Sequence, residues 1–600
     1  MNQDSWLKIF ETARSYGLNL FRFHSWCPPE AAFAAADEAG FWLQIELPGT
    51  SCLSRDEPPS LAQFLQSELA RILATYGNHP SFLSLSMGNE QLVDADPAFL
   101  ARHQAVLAAR VRYAQETDPR HLYTSTSHPY TADRPDDFFV SAWGRNRSQR
   151  LVGIEWGGGD VLSQTRFNCA PPETESDYRQ GLEGIDKPLL THEVGQWAVY
   201  PNLAETPKYK GLPRARNLEL IHQSLEKSGL LDQADHFVQA SGRLSQILYR
   251  EEIESALRTP GLAGFQLLGL LDQQGQGTST VGLLDVFWES KGLTSASEFS
   301  RYCADSVILL RMPRRVYTCL ETFHARVEIA HYGAAALPDA HPAWSIFDPD
   351  GTVLAFGDLP PCAIQPGGLR DLGEIHFTLE DVPAPLHLTV SVYLAGTTIR
   401  NEWEFWVYPA RLQDPPGSTA LVAQEWNSEV KEALEAGRNV LLLPRLESVP
   451  CSIPGCFTPV FWNVLMKHEQ AAKTMGFLCE PAHPAFAHFP TEFHSNWQWW
   501  DLAVRSRTLI LDGMPASFRP IVQVIDSFEK NRKLGAVFQA RVGKGRLVVS
   551  SIDLANDLEQ RPVARQLRFS LLSYMNGDRF RPSHDLSSEQ LDELLCQAPA

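Results

Sequence analysis

The chain of 600 residues contains no run approaching the roughly eighteen apolar residues that a membrane span requires, so no membrane-spanning helix is expected. Positive charge is in short supply. Fifty-two Lys and Arg stand against 71 Asp and Glu, a net charge of −19. That balance argues against nucleic acid or an anionic membrane as a partner. The ten cysteines are scattered. The nearest pair, Cys451 and Cys456, has no further Cys or His at ligand spacing beside it. No metal and no cofactor are therefore expected. Low-complexity stretches are lacking, and Met1-Asn-Gln-Asp-Ser-Trp-Leu-Lys has none of the character of a signal peptide.

A chain of this length exceeds one core, and its texture divides it into several domains. In residues 1–305, helical and strand-like segments alternate. Asp4 to Tyr16 has Trp6, Leu7, Phe10 and Ala13 at helical spacing, and Gly17 closes it before the apolar run Leu18 to His24. Pro28-Pro29-Glu30 opens a helix that leads to Phe41–Leu47, and a helix from about Leu61 to Tyr76 leads to Phe82–Ser86. Further strands are read at Leu122–Ser127, Asp137–Ala142, Pro188–Thr191 and Ala263–Gly269. Such alternation predicts a parallel sheet, and this many repeats fits a closed (β/α)8 barrel better than an open sheet. Seven strands are countable, and the chain opens on a helix where a first strand would precede it.

Two glutamates follow apolar runs, Glu90 in Ser-Met-Gly-Asn-Glu and Glu193 in His-Glu-Val-Gly-Gln-Trp. Strand ends on the C-terminal face of a barrel build the reaction site. Two carboxylates from different strands can act as proton donor and as nucleophile or base in glycosidic cleavage. The less favoured reading has either glutamate solvated or paired with an arginine. Glu46 ends another strand and could support the site or touch a sugar, and Glu155 is a rival carboxylate. Arg22 could hold a nucleophile ionised, or form a structural ion pair. Trp143, Trp156 and Trp197 follow strand-like runs and could stack on a sugar ring or pack in the core. His192, one residue before Glu193, is expected to point away if the strand continues its alternation.

These segments resemble glycoside hydrolase family 2, which contains β-galactosidases, β-glucuronidases and β-mannosidases. Gly88-Asn89-Glu90 is similar to the family's acid/base motif. Leu18-Asn-Leu-Phe-Arg-Phe-His-Ser-Trp26 resembles its Asn-x-x-Arg-x-Ser-His segment: Asn19 and Arg22 keep the spacing, and His24 arrives one residue early. The resemblance covers residues 1–300. It implies Glu90 as acid/base on the fourth barrel strand and Glu193 as nucleophile on the seventh. It further implies that Asn89 hydrogen-bonds the sugar 2-hydroxyl, and that Arg22 and His24 line the pocket. The family's Trp-Asp-Trp is replaced here by Gly269-Leu-Leu-Asp272, and its glucuronidase Asn-x-Lys signature is not evident. The two β-sandwiches with which the family begins are absent from this sequence, so an N-terminally shortened chain is expected.

Residues 203–258 read as a helical insertion covering the barrel rim. In 306–411, short alternating runs between Asp-Pro-Asp-Gly and Pro-Gly-Gly turns predict an immunoglobulin-like β-sandwich. Residues 412–585 read as a doubly wound α/β domain resembling glutamine-amidotransferase-like domains. It has no Gly-x-Cys-x-Gly elbow, so amidotransferase chemistry is not expected. Its aromatic run, Phe493 to Trp500, either completes a pocket or packs internally, and 586–600 reads as a polar tail. The expected partner is a carbohydrate: the terminal β-linked sugar of an oligo- or polysaccharide, with β-galactoside the leading choice. A uronic acid or arabinose side chain, an inactive glycan-binding fragment and a homo-oligomer stay open.

Overall fold

The computed structural model describes residues 1–48, 57–91, 96–127, 134–141, 166–211, 214–466, 470 and 473–596. Trp143, Glu155 and Trp156 lie outside them. The protein is a multidomain α/β molecule built on several separate sheets. Among the described residues, no helix is long and apolar enough to cross a membrane.

Helix Gln3–Ser15 buries Trp6, Ile9, Phe10 and Ala13 on one face, and the Asn2 side chain caps it by accepting from the Ser5 amide. After it, β1 (Leu20–Phe23), β2 (Trp42–Glu46), β3 (Phe82–Ser86) and β4 (Leu122–Thr124) pair in parallel and in that order. Helices Glu30–Ala39, Pro59–Tyr76 and Pro97–Thr117 connect them. β5 (Phe139–Ser141) and β6 (Leu189–Thr191) form a parallel pair, which residues 264–267 extend through the bridges Leu190–Gly264 and Val194–Leu267. Among the described residues, no backbone pairing joins β1 to 264–267.

The segment expected to cover a rim is instead central. Helix Ala234–Leu257 is buried around most of its circumference, by Val238, Leu244, Leu248, Glu252, Ser255 and others. Its expected place on the rim rested on an amphipathic pattern, but several of its polar residues are hydrogen-bonded inside. The Ser245 hydroxyl donates to the Trp197 carbonyl, and Glu252 accepts from the Gly195 amide at 2.6 Å. Glu254 accepts from Trp403 Nε1 at 2.9 Å and from Asn401 Nδ2 at 3.1 Å, both on the following domain.

That following domain is a two-sheet sandwich. Strands Val353–Asp358, Pro342–Phe347, Leu386–Leu394, Arg400–Tyr408 and Val316–Thr318 form one sheet. Gly368–Thr378, Thr322–His331 and Ser306–Arg311 form the other. Val327, Ile329, Ile375, Val390 and Phe405 fill the space between them with no exposed surface.

The C-terminal sheet is mixed, which corrects the doubly wound reading. Leu421–Ala423, Asn439–Leu442 and Gly545–Ser550 are parallel, but Leu534–Val542 returns antiparallel to the last of these through a tight turn at Gly543-Lys544. Apolar runs do not distinguish the two pairings. The expected polar tail is also corrected. Helix Ser588–Cys596 buries Leu591, Leu594 and Leu595, and Asp592 accepts from Trp426 Nε1 at 2.7 Å. The aromatic run packs internally. Trp499 sits among Phe477, Phe486 and Phe489, and Trp500 Nε1 donates to the Phe167 carbonyl at 2.8 Å.

Candidate active site

Four strand ends converge on one cluster. Arg22 leaves β1 with its guanidinium shared three ways. Nε meets Glu46 Oε1 at 2.6 Å, Nη1 meets Glu193 Oε1 at 3.0 Å, and Nη2 meets Asn89 Oδ1 at 2.6 Å. Burial alone would lower the Arg22 pKa, but the charges of Glu46 and Glu193 outweigh it and hold the guanidinium protonated. Glu46, at the end of β2, is buried with both oxygens engaged, the second accepting from the Ser25 amide at 2.8 Å. It therefore fixes Arg22 from below, the supporting one of its two expected roles. Asn89 turns its carbonyl oxygen to Arg22 and Ser127 Oγ, which points its amide nitrogen the other way.

Glu90 and Glu193 both occupy left-handed backbone, with φ of 44° and 51°. For a non-glycine residue this costs about 1–3 kcal/mol and persists only where the surroundings impose it. Around Glu90, Ser127 Oγ accepts from its amide and Thr126 Oγ1 accepts from that of Gln91, both at 3.1 Å. Around Glu193, its carbonyl accepts from Gln196 Nε2 at 2.9 Å, while Glu252 holds the Gly195 amide. Gly195 cannot be larger, since a Cβ there would lie 1.9 Å from the Tyr249 ring.

His192 was not expected to take part. It is fully buried, and its Nε2 lies 3.3 Å from Glu193 Oε1 and 3.6 Å from Glu90 Oε1. One carboxylate oxygen of each glutamate and one ring nitrogen of His192 all fall within 4.8 Å of one another. Such a trio can pass protons or, in principle, hold a divalent cation.

One expected sugar contact, Trp197, is corrected. Trp197 is fully buried, with its ring against Phe167 and Phe461, because residues 196–198 pair with 460–462 of the C-terminal domain. It is core, not a sugar platform. His24 lies in an exposed turn after β1 and, among the described residues, takes part in none of the cluster's hydrogen bonds. Gln266 and Asp272 also stand apart from it. Gln266 Nε2 donates to Gln44 Oε1 at 2.9 Å, and Asp272 is held by Lys291 Nζ at the same distance.

Beside Asp272 lies a buried carboxyl, Glu205, that the sequence did not single out. Burial, reinforced by the Asp272 charge, pushes it up to about 7. The folded chain thus retains a proton that the unfolded chain loses near pH 4.3, roughly. Stability is expected to fall as pH rises between those values. In thermal melts, Glu205→Gln should therefore exceed the parent at pH 8 and match it at pH 4.

Comparison with known proteins adds the following. A family profile described as "Domain of unknown function (DUF8487)" matches residues 421–596, and another, "Domain of unknown function (DUF8488)", matches 321–409. No curated protein matches the chain. Similar solved structures include a β-D-mannosidase from Dictyoglomus thermophilum, at 14% identity and a TM-score of 0.48 over 70% of this chain and 50% of that one. A β-glucuronidase from Bacteroides uniformis matches at 14% identity and a TM-score of 0.34, over 70% of this chain and 45% of that one. One from Parabacteroides merdae matches at 11% identity and a TM-score of 0.35, over 69% and 49%. The match spans about half the length of these structures.

Proposed function

We propose that this chain is a glycoside hydrolase that releases terminal β-linked sugars with retention of configuration, its site carried by an open barrel of the (β/α)8 type. One observation carries the reading. Two carboxylates from separate strand ends, Glu90 and Glu193, bring oxygens within 4.8 Å of each other in one arginine-anchored cluster. Retaining pairs stand about 5–5.5 Å apart and inverting pairs about 6.5–9.5 Å, the extra distance admitting a water.

In this reading Arg22 favours the ionised form of Glu193, which attacks the anomeric carbon as Glu90 gives its proton to the departing oxygen. The glycosyl–Glu193 ester then breaks as water attacks the same carbon, its proton passing to Glu90. Asn89, oriented by Arg22, offers its amide nitrogen to the sugar 2-hydroxyl. His192 donates toward whichever carboxylate carries the charge. His192→Phe removes that donor from beside the nucleophile, so the acidic limb of kcat/KM should move to higher pH, by about half a unit to one unit.

A panel of aryl β-galactoside, β-glucuronide, β-mannoside and α-L-arabinoside tests the reading, with the β-galactoside expected to turn over fastest. Proton NMR of the first-formed sugar should show the substrate's anomeric configuration. Inversion would overturn the mechanism. Binding of the free sugar without turnover of any glycoside would favour the inactive glycan-binding alternative.

A further inference from the structure

The outer face of the sandwich carries a second cluster of ligating side chains, far in sequence from the strand-end site. Strands Thr322–His331 and Gly368–Thr378 pair antiparallel, with His376 directly opposite His324 and Ile375 opposite Ala325. Ile375 and Ala325 are fully buried in the sandwich core. Strand alternation therefore sends Glu374, His376 and His324 to the opposite face, towards solvent. There the two imidazole rings lie 4.6 Å apart, centre to centre. Both Nε2 atoms aim at one carboxylate oxygen, Glu374 Oε2, at 3.5 Å from His324 and 3.3 Å from His376.

We propose that His324, Glu374 and His376 form a binding site for a divalent transition metal of the zinc class. The ligating atoms lie within 4.8 Å of one another, as donors around one ion must. Two imidazoles and a carboxylate suit zinc and exclude the hard oxygen-loving cations. All three ligands stand on paired strands whose other face is locked in a core, so little freedom is lost when an ion binds. The neighbouring cation, Arg326, is turned to Glu328 at 3.0 Å, which reduces its opposition to a bound ion. Three protein ligands leave a fourth position open to water or to a group from outside. The site stands independently of the glycosidase reading.

The test uses the full chain without a histidine tag, stripped by chelator and titrated with Zn²⁺ by calorimetry, and with Co²⁺ for its visible absorption. A low-micromolar site is expected at about one equivalent, with a tetrahedral cobalt spectrum. His376→Gln should weaken it by about tenfold or more, and the double variant H324A/H376A should abolish it. These residues are partly exposed on a sheet surface, so circular dichroism and aryl-glycoside turnover should be unchanged in both. Because Glu90, His192 and Glu193 form a rival trio, H192A is titrated in parallel. Absence of zinc binding, or binding that H192A removes and H324A/H376A leaves intact, would overturn the proposal.

Discussion

Glu193→Ala is expected to lower turnover of aryl β-glycosides by about four orders of magnitude or more, on the scale of removing a covalent nucleophile. The loss should be reversible by a small anion. Azide fits the space left by the side chain and can attack the anomeric carbon from the same face, yielding a glycosyl azide of inverted configuration. Glu90→Ala should behave differently. A leaving group that needs no protonation, such as dinitrophenolate, should depart almost as fast as from the parent. Poorer leaving groups should suffer by about 10²–10⁴-fold. Azide should then produce the azide of retained configuration. Product stereochemistry, read by NMR, thus tests each assignment separately. Retained azide from Glu193→Ala would remove Glu193 from the nucleophile's role.

Glu254→Ala is expected to cost about 3–5 kcal/mol, the scale of leaving buried charges without their partner. Its carboxylate is fully buried where helix Ala234–Leu257 meets the sandwich, 2.7 Å from Arg250 and 3.4 Å from Arg258, with Trp403 and Asn401 as donors. Burial pushes its pKa up, but the charges of Arg250 and Arg258 outweigh it and hold it below the ordinary carboxylate value. Such a group stabilises above the unfolded carboxylate pKa, and that stabilisation is lost as pH falls. The gap in urea midpoint between the parent and Glu254→Gln should therefore be largest at neutral pH and narrow below about pH 4. A gap independent of pH would place the effect in packing alone.

The approach of the two glutamates to one cluster was legible in the sequence because short, local features mark them. Each follows an apolar run, and Gly88-Asn89-Glu90 adds a turn that needs glycine, here at φ 143°. His192 was missed for a definite reason. Alternation assumes the strand continues, but β6 ends at Thr191 and Glu193 adopts φ 51°, so residues 192 and 193 both reach the cluster. Glu46 and Arg22 were read as site residues, but their division of labour depends on which oxygen meets which nitrogen, and no spacing reveals that. Trp197 was misplaced because its partner strand, around Phe461, lies in another domain. The same holds for helix Ala234–Leu257, whose polar residues look solvated until the elements that surround them are in place.

That helix has a consequence for how the molecule can change over time. Glu252 fixes the backbone two residues beyond Glu193, Glu254 two residues further along the helix grips the sandwich, and Leu244 lies against Gly476 of the C-terminal sheet. Exchanging a domain of this chain for a foreign one would disturb the contacts that hold the backbone beside Glu193. A substitution at the surfaces these units share should therefore be felt beyond the domain that carries it.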